Sequence, residues 1–368
     1  MKKYLYLFFA ALIFSSCETV NEVNPVKAQN TLPVVDAQIN TEDYQMLLEN
    51  RFGNTNVAVK LLYNDELING NIEASGAGSR FFPKWSYSVT TLDGLIENES
   101  TFNLSAQVYD RSFTKTTLAS YIFLQLGFPV FNSSEIFLIL NDKNKGVYKL
   151  IERIDENFFL KRNLPVHELI KVRFEAKFSM IGQNNIHTNF DKEIPDDDNL
   201  NNLAEFFNAI DTTSSENLLT QLGKYLDIKN YLRYHAVSTI IASVDGFTNN
   251  MYLYKSSSDS AYQIIPWDFD RSFDPQFQPI IYGDNEIMRK LKTNPQIDSM
   301  YRNELRYICN EIFTEENLFP IVDTIYNKIK TAYYLDPHLG LAGFNLDNDI
   351  AAIKDFVVNR RRIILDNL

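Results

Sequence analysis

Asp245, Asn250, Asp268 and Asp270 have the types and spacing of a divalent-ion site. They lie in the segments S-V-D-G-F-T-N-N-M-Y-L-Y and I-P-W-D-F-D. Magnesium takes hard oxygen ligands, usually one or two carboxylates completed by phosphate oxygens and water. A carboxylate left off the metal can accept the proton of an attacking hydroxyl. That is the division of labour in phosphoryl transfer, with one aspartate on the nucleophile and an asparagine and a second aspartate on the metal. Taken singly, each aspartate is as readily a turn or helix cap. The combined order, Asp-x4-Asn followed by Trp-Asp-x-Asp, is harder to explain that way.

These groups converge only if the chain folds back between them. Asp227 can cap a helix over 228–244, which delivers Asp245; strands over 251–255 and 262–265 then flank the polar turn 256–260. Antiparallel neighbours lie about 5 Å apart, so such a hairpin returns Asp268 and Asp270 to the loop carrying Asn250. Upstream, β-branched and aromatic runs at 57–63, 85–92, 135–140 and 146–154 read as strands, with a turn at 141–145 and one helix over 114–126. Beyond residue 164 the pattern becomes helical, at 199–210, 216–226 and finally 348–367, where Arg360, Arg361 and Arg362 read as a solvated helix end. The expected class is α+β, with a β-rich part over 41–164 and a mainly helical part over 165–368.

The N-terminus is a targeting segment. Lys2 and Lys3 precede an apolar run over 4–14, too short for the about 20 residues of a spanning helix. Ser15, Ser16 and Cys17 resemble a bacterial lipobox, in which the cysteine is acylated. The expectation is an exported, membrane-anchored lipoprotein with a signal peptide over 1–17 and a tether over 18–40, facing the periplasm or the outside. A formal charge of −12 argues against nucleic-acid binding. With Cys17 lipidated, Cys309 has no disulfide partner and reads as a buried thiol. His167, His187, His235 and His338 are too scattered for a zinc site, and there is no Walker loop, G-x-G-x-x-G or His-Arg-Asp triplet. Nothing in the sequence signals an oligomeric state.

Across most of its length the chain resembles the CotH family of atypical, protein-kinase-like phosphotransferases. The resemblance rests on 75–87 (SGAGSRFFPKWSY), 109–118 (YDRSFTKTTL), 146–155 (GVYKLIERID), Asp245 with Asn250, the W-D-F-D run and the ending 353–368. It implies a two-lobed kinase-like fold that uses ATP and Mg2+ to phosphorylate a hydroxyl, Ser or Thr, on a protein of the cell envelope. It also implies roles. Asp245 becomes the catalytic-loop aspartate, Asn250 and Asp268 the magnesium ligands, and Asp270 a second ligand or a turn residue. Arg80 and Lys84 would neutralise nucleotide phosphates, with Glu152 orienting Lys84 and Lys115 a further phosphate contact. Tyr148, Tyr262 and Trp267 would offer aromatic surface to a purine. One departure stands out: where the family has Arg-Gly-Asn-Ser-Ser-Arg, this chain has Ser75-Gly76-Ala77-Gly78-Ser79-Arg80, which lacks an arginine and an asparagine. That loss, and the scarcity of ATP outside the cytoplasm, motivate an alternative: an inert relative acting as a surface binding or assembly module.

Overall fold

The computed structural model describes residues 30–277 and 279–368. Cys17, the signal peptide and most of the expected tether lie outside them. The first strand, β1 (Val34–Gln38), already falls within the 18–40 stretch expected to be a tether. Its alternating V-V-D-A-Q pattern buries Val35 and Ala37, and it pairs in parallel with β6, which closes a barrel.

The barrel runs in the order β1-β2-β3-β4-β5-β7-β6, using β2 (Asn56–Tyr63), β3 (Glu66–Ser75), β4 (Ser86–Thr91), β5 (Thr101–Ser105), β6 (Ser133–Leu140) and β7 (Lys143–Glu152). Helix α1 (Thr41–Glu49) follows β1, and α2 (Lys115–Gln125) precedes β6. The turn expected at 141–145 tightens to Asn141 and Asp142, both with positive φ, which suits the twist of a two-residue hairpin. Alternation along β6 and β7 sends Ile136, Leu138, Tyr148 and Leu150 into the barrel. Phe137, Ile139, Val147 and Ile151 point outward into the second core, which they share with Leu118, Ile122 and Phe123 of α2.

The rest of the chain is not purely helical. After α3 (Glu156–Lys161), β8 (Glu168–Val172) and β9 (Phe190–Ile194) join β10 (Met251–Lys255) and β11 (Gln263–Pro266) in an antiparallel sheet ordered β11-β10-β8-β9. Around it lie α4 (Asn201–Thr212), α5 (Leu218–Gln221), α6 (Ile228–Ile240), α7 (Glu286–Leu291), α8 (Pro295–Tyr307), α9 (Glu315–Leu335) and α10 (Leu346–Asp366). The segment 216–226 breaks into short turns around α5 instead of forming one helix. Asp227 caps α6 by accepting from the Asn230 amide, but the helix ends at Ile240, short of 244, because Ala242 takes a left-handed φ of 48°. Cys309 is buried, and burial pushes its thiol up to about 12.

Arg360 is not a solvated helix end. It is 1 % exposed, and its guanidinium donates to the carbonyls of Thr239 (2.6 Å), Ile240 (3.1 Å) and Pro279, which satisfies the last carbonyls of α6. The helix that leads to Asp245 is thereby anchored to α10. Among the described residues no helix is long and apolar enough to cross a membrane.

Candidate functional site

The β10–β11 hairpin sets the geometry. Met251 pairs with Pro266, and the Trp267 amide donates to the Asn250 carbonyl at 3.2 Å, so the residues just outside the strands face each other. Asn250 Nδ2 donates to the Asp268 carbonyl at 3.1 Å. Asn250 (φ 56°) and Asp268 (φ 55°) both adopt the left-handed conformation, which Asn and Asp tolerate better than most residues. Beyond the hairpin the two loops stay together: the Val244 amide donates to the Arg271 carbonyl (3.2 Å) and that of Phe273 to Ile241 (2.6 Å). Asp245 is carried in this pairing and forms an ion pair with Arg271, whose Nη1 lies 3.0 Å from Oδ2.

The electrostatics of the cluster are dominated by crowded carboxylates. Asp268 is open to solvent, yet the protein atoms packed around it and then the Asp245 charge raise its carboxyl to about 6, against the pull of Lys171 and Arg271. Asp270 is raised well above its ordinary range by burial and then by Asp268 and Asp110, with Lys115 opposing. Burial also raises Asp245, partly offset by Arg271, and raises the fully buried Asp110, partly offset by Lys115. Among the described residues no hydrogen-bond donor is placed on the carboxylate of Asp268 or Asp270. Hard oxygens that repel one another and lack donors are a donor set suited to a divalent cation. No three His, Cys, Asp or Glu side chains among the described residues are arranged to hold an ion by themselves. An ion here would need further oxygens from a ligand, as phosphates provide.

Lys115 is beside this cluster: its Nζ donates to the carbonyls of Asp270 (3.1 Å) and Tyr109 (2.8 Å). Trp267 is half-buried next to Asp268, packed on Phe131 (4.9 Å between centroids) and Tyr252 (6.1 Å). The loop of 75–80 also reaches this edge, because a Cβ on Gly78 would lie 3.0 Å from the Tyr109 hydroxyl, and the Arg271 guanidinium lies over the Tyr109 ring at 5.3 Å.

Other expected members are elsewhere. Lys84 does not face the aspartates: 5 % exposed, it donates to Asp336 Oδ2 (2.7 Å) and to the Val147 carbonyl (2.6 Å). Burial lowers its ammonium pKa, with Asp336 pulling the other way. Glu152 does not orient Lys84 but pairs with Arg162 at 2.6 Å and accepts from the Asn132 amide. Arg80 turns its Nε to the carbonyl of Gly76 (2.8 Å) and its Nη1 to those of Arg51 (3.1 Å) and Gly53 (3.2 Å). Tyr148 lies inside the barrel with its hydroxyl on the Trp85 carbonyl (2.9 Å), and buried Tyr262 donates to Glu168 at 2.5 Å, so neither ring is available to a purine.

Arg271, Asp110 and a buried ionic group on the barrel wall are charged residues to which the sequence motifs assign no role. In that group Glu135 takes Lys149 (2.6 Å) and Lys328 (2.7 Å); burial alone would raise it, but the two lysines hold it at about 2. Arg271 directly follows W-D-F-D and Asp110 lies within YDRS, so adjacency to the motifs was the available signal.

The chain is similar to several known proteins. The chain is 23% identical over 363 residues to the inner spore coat protein H of Bacillus subtilis (strain 168), covering 93% of this chain and 99% of that protein. Similar solved structures include the proinflammatory kinase CtkA of Helicobacter pylori (14% identity, 84% of this chain and 91% of that one, TM-score 0.33). Another is the Golgi casein kinase with Mn/ADP bound (10% identity, 93% and 75%, TM-score 0.33). The profile of the CotH kinase protein family matches residues 72–364, most of the chain. The protein is therefore a member of the CotH kinase family.

Proposed function

We propose that this chain is an atypical kinase that transfers the γ-phosphoryl group of ATP, with Mg2+, to a serine or threonine hydroxyl of a protein. The observation that carries this reading is the hairpin, which seats Asn250 on Asp268 and keeps Asp245 on the paired loop beside them. In this reading the barrel is the N-lobe (41–164, with β1) and the remainder the helical C-lobe (165–368). Asp245 accepts the proton of the acceptor hydroxyl as its oxygen bonds to the γ-phosphorus and the bond to the ADP oxygen breaks; the raised pKa of Asp245 favours proton uptake. Asn250 and Asp268 would hold the metal, with Asp270 close to Asp268 as a further carboxylate. When bound, Mg2+ neutralises the phosphate oxygens. Lys115 adds positive charge at the same edge, and Trp267 is the one aromatic of the expected three that lies beside the cluster. The envelope location, the anchor at Cys17 and an envelope protein as acceptor belong to the same proposal.

A second reading, an inert binding or assembly module, is favoured by the engagement of Lys84 and Arg80 in structural contacts, which leaves the 75–80 loop short of cations. Thermal-shift titration separates the two. Mg2+–ATP raises the melting temperature of a protein that binds it. Loss of phosphate incorporation in Asp245→Asn, with folding intact, supports the enzyme. A flat melting curve at millimolar nucleotide supports the module.

A further inference from the structure

A nucleotide's phosphate chain carries several negative charges, and a site that binds it must supply cations. The 75–80 loop supplies little of that charge, since the Arg80 Nε and Nη1 are turned to three backbone carbonyls and the nearby Lys84 is sealed against Asp336. Arg271 differs from both. Its side chain is 42% exposed, against 5% for Lys84. Only its Nη1 is engaged, with Asp245 at 3.0 and 3.3 Å; among the described residues its Nε and Nη2 donate to nothing. Its guanidinium carbon lies over the ring of Tyr109, 5.3 Å from the centroid, and Tyr109 itself abuts Gly78 of the loop. An arginine set over an aromatic ring with Nε and Nη2 left free can make bidentate contact with phosphate oxygens.

We infer that Arg271 is a phosphate-binding cation of this site, acting beside Lys115. It bridges the Asp245 carboxylate and the nucleotide's phosphate chain, with Tyr109 as a positioning residue that supports its guanidinium. The inference rests on the phosphotransferase reading and adds to it a residue that neither the spacing of the aspartates nor the glycine loop revealed. It also means that the base and the transferred group share one guanidinium, so binding of the phosphate chain draws positive charge away from Asp245.

The test is calorimetric binding of adenosine, ADP and ATP, each with Mg2+, to the full chain and to Arg271→Ala, Arg271→Gln and Tyr109→Leu. Melting temperatures certify the fold, and Arg271→Gln keeps a donor for Asp245 should the alanine variant fail to fold. Loss of a charged hydrogen-bonding group should weaken ATP by roughly 10- to 100-fold, ADP less, and adenosine not at all. Tyr109→Leu should show a smaller loss with the same dependence on phosphate number. Folded Arg271 variants that bind ATP as the wild type does would overturn the inference and leave the proposed function standing. A wild-type protein that binds no nucleotide would remove both.

Discussion

The hairpin cluster and the Lys84 corner are both built from charged residues that the family resemblance placed in one site, yet they are physically opposite. In the hairpin three carboxylates crowd together with no donor on those of Asp268 and Asp270, and the protein atoms packed around Asp268, then the Asp245 charge, raise it to about 6. At the corner the charges are matched and sealed: Lys84 meets Asp336, whose Oδ2 also accepts from the Val147 amide at 2.8 Å. An unsatisfied cluster has free energy available for binding, whereas a satisfied buried pair is committed to holding the barrel against the end of α9.

Four substitutions press on that contrast. The largest effect is expected for Asp268→Asn, which should lower phosphate incorporation by roughly 100-fold or more while leaving folding intact. The sign on stability follows from the raised pKa. A carboxyl that holds its proton more tightly when folded costs stability as pH rises from 3.8 to about 6. Asp268→Asn should therefore melt no lower than wild type at pH 7.5, with any advantage gone near pH 4. Melting curves at the two values check this.

Lys84→Met should act in the reverse sense. It leaves Asp336 buried without its cation and should cost about 3–5 kcal/mol of stability in denaturant titrations, most of it recovered in Lys84→Met/Asp336→Asn. Full stability combined with lost ATP binding would break the contrast and return Lys84 to the phosphate site. A third change sharpens it: a Cβ at Gly146, where φ is +88°, would lie 2.0 Å from Asp336 Oδ2. Gly146→Ala should lower stability by about 1–3 kcal/mol by displacing that carboxylate. Smallest is Tyr148→Phe, which loses one hydrogen bond to the Trp85 carbonyl. It should cost about 1 kcal/mol in the same titration and leave nucleotide affinity unchanged.

The contrast also explains which parts were legible in the sequence. Asn250 and Asp268 meet because a polar turn lies between two short strands, a local signal in one stretch of chain. The aspartate that occupies Lys84 lies 252 residues away, and nothing in the spacing of either residue announces the other. Strand β1 was hidden in part for a similar reason, since Val34 and Val35 pair only with β6, in parallel and far along the chain, while β2 takes Asp36 to Gln38. Tyr148 and Tyr262 read equally well as binding surface or as core, because a tyrosine carries both characters until its hydroxyl finds a partner. Arg360, read as surface charge, became a helix cap once α10 crossed the end of α6.

The most direct test is to titrate Mn2+ into wild type and Asp268→Asn with ADP present, following the bound ion by electron paramagnetic resonance at pH 5 and pH 7.5. Nucleotide-dependent binding that strengthens as pH passes about 6 and disappears in Asp268→Asn is the predicted result. Ion binding that is absent in wild type, or equal in the two proteins, would contradict a metal–nucleotide site at this hairpin.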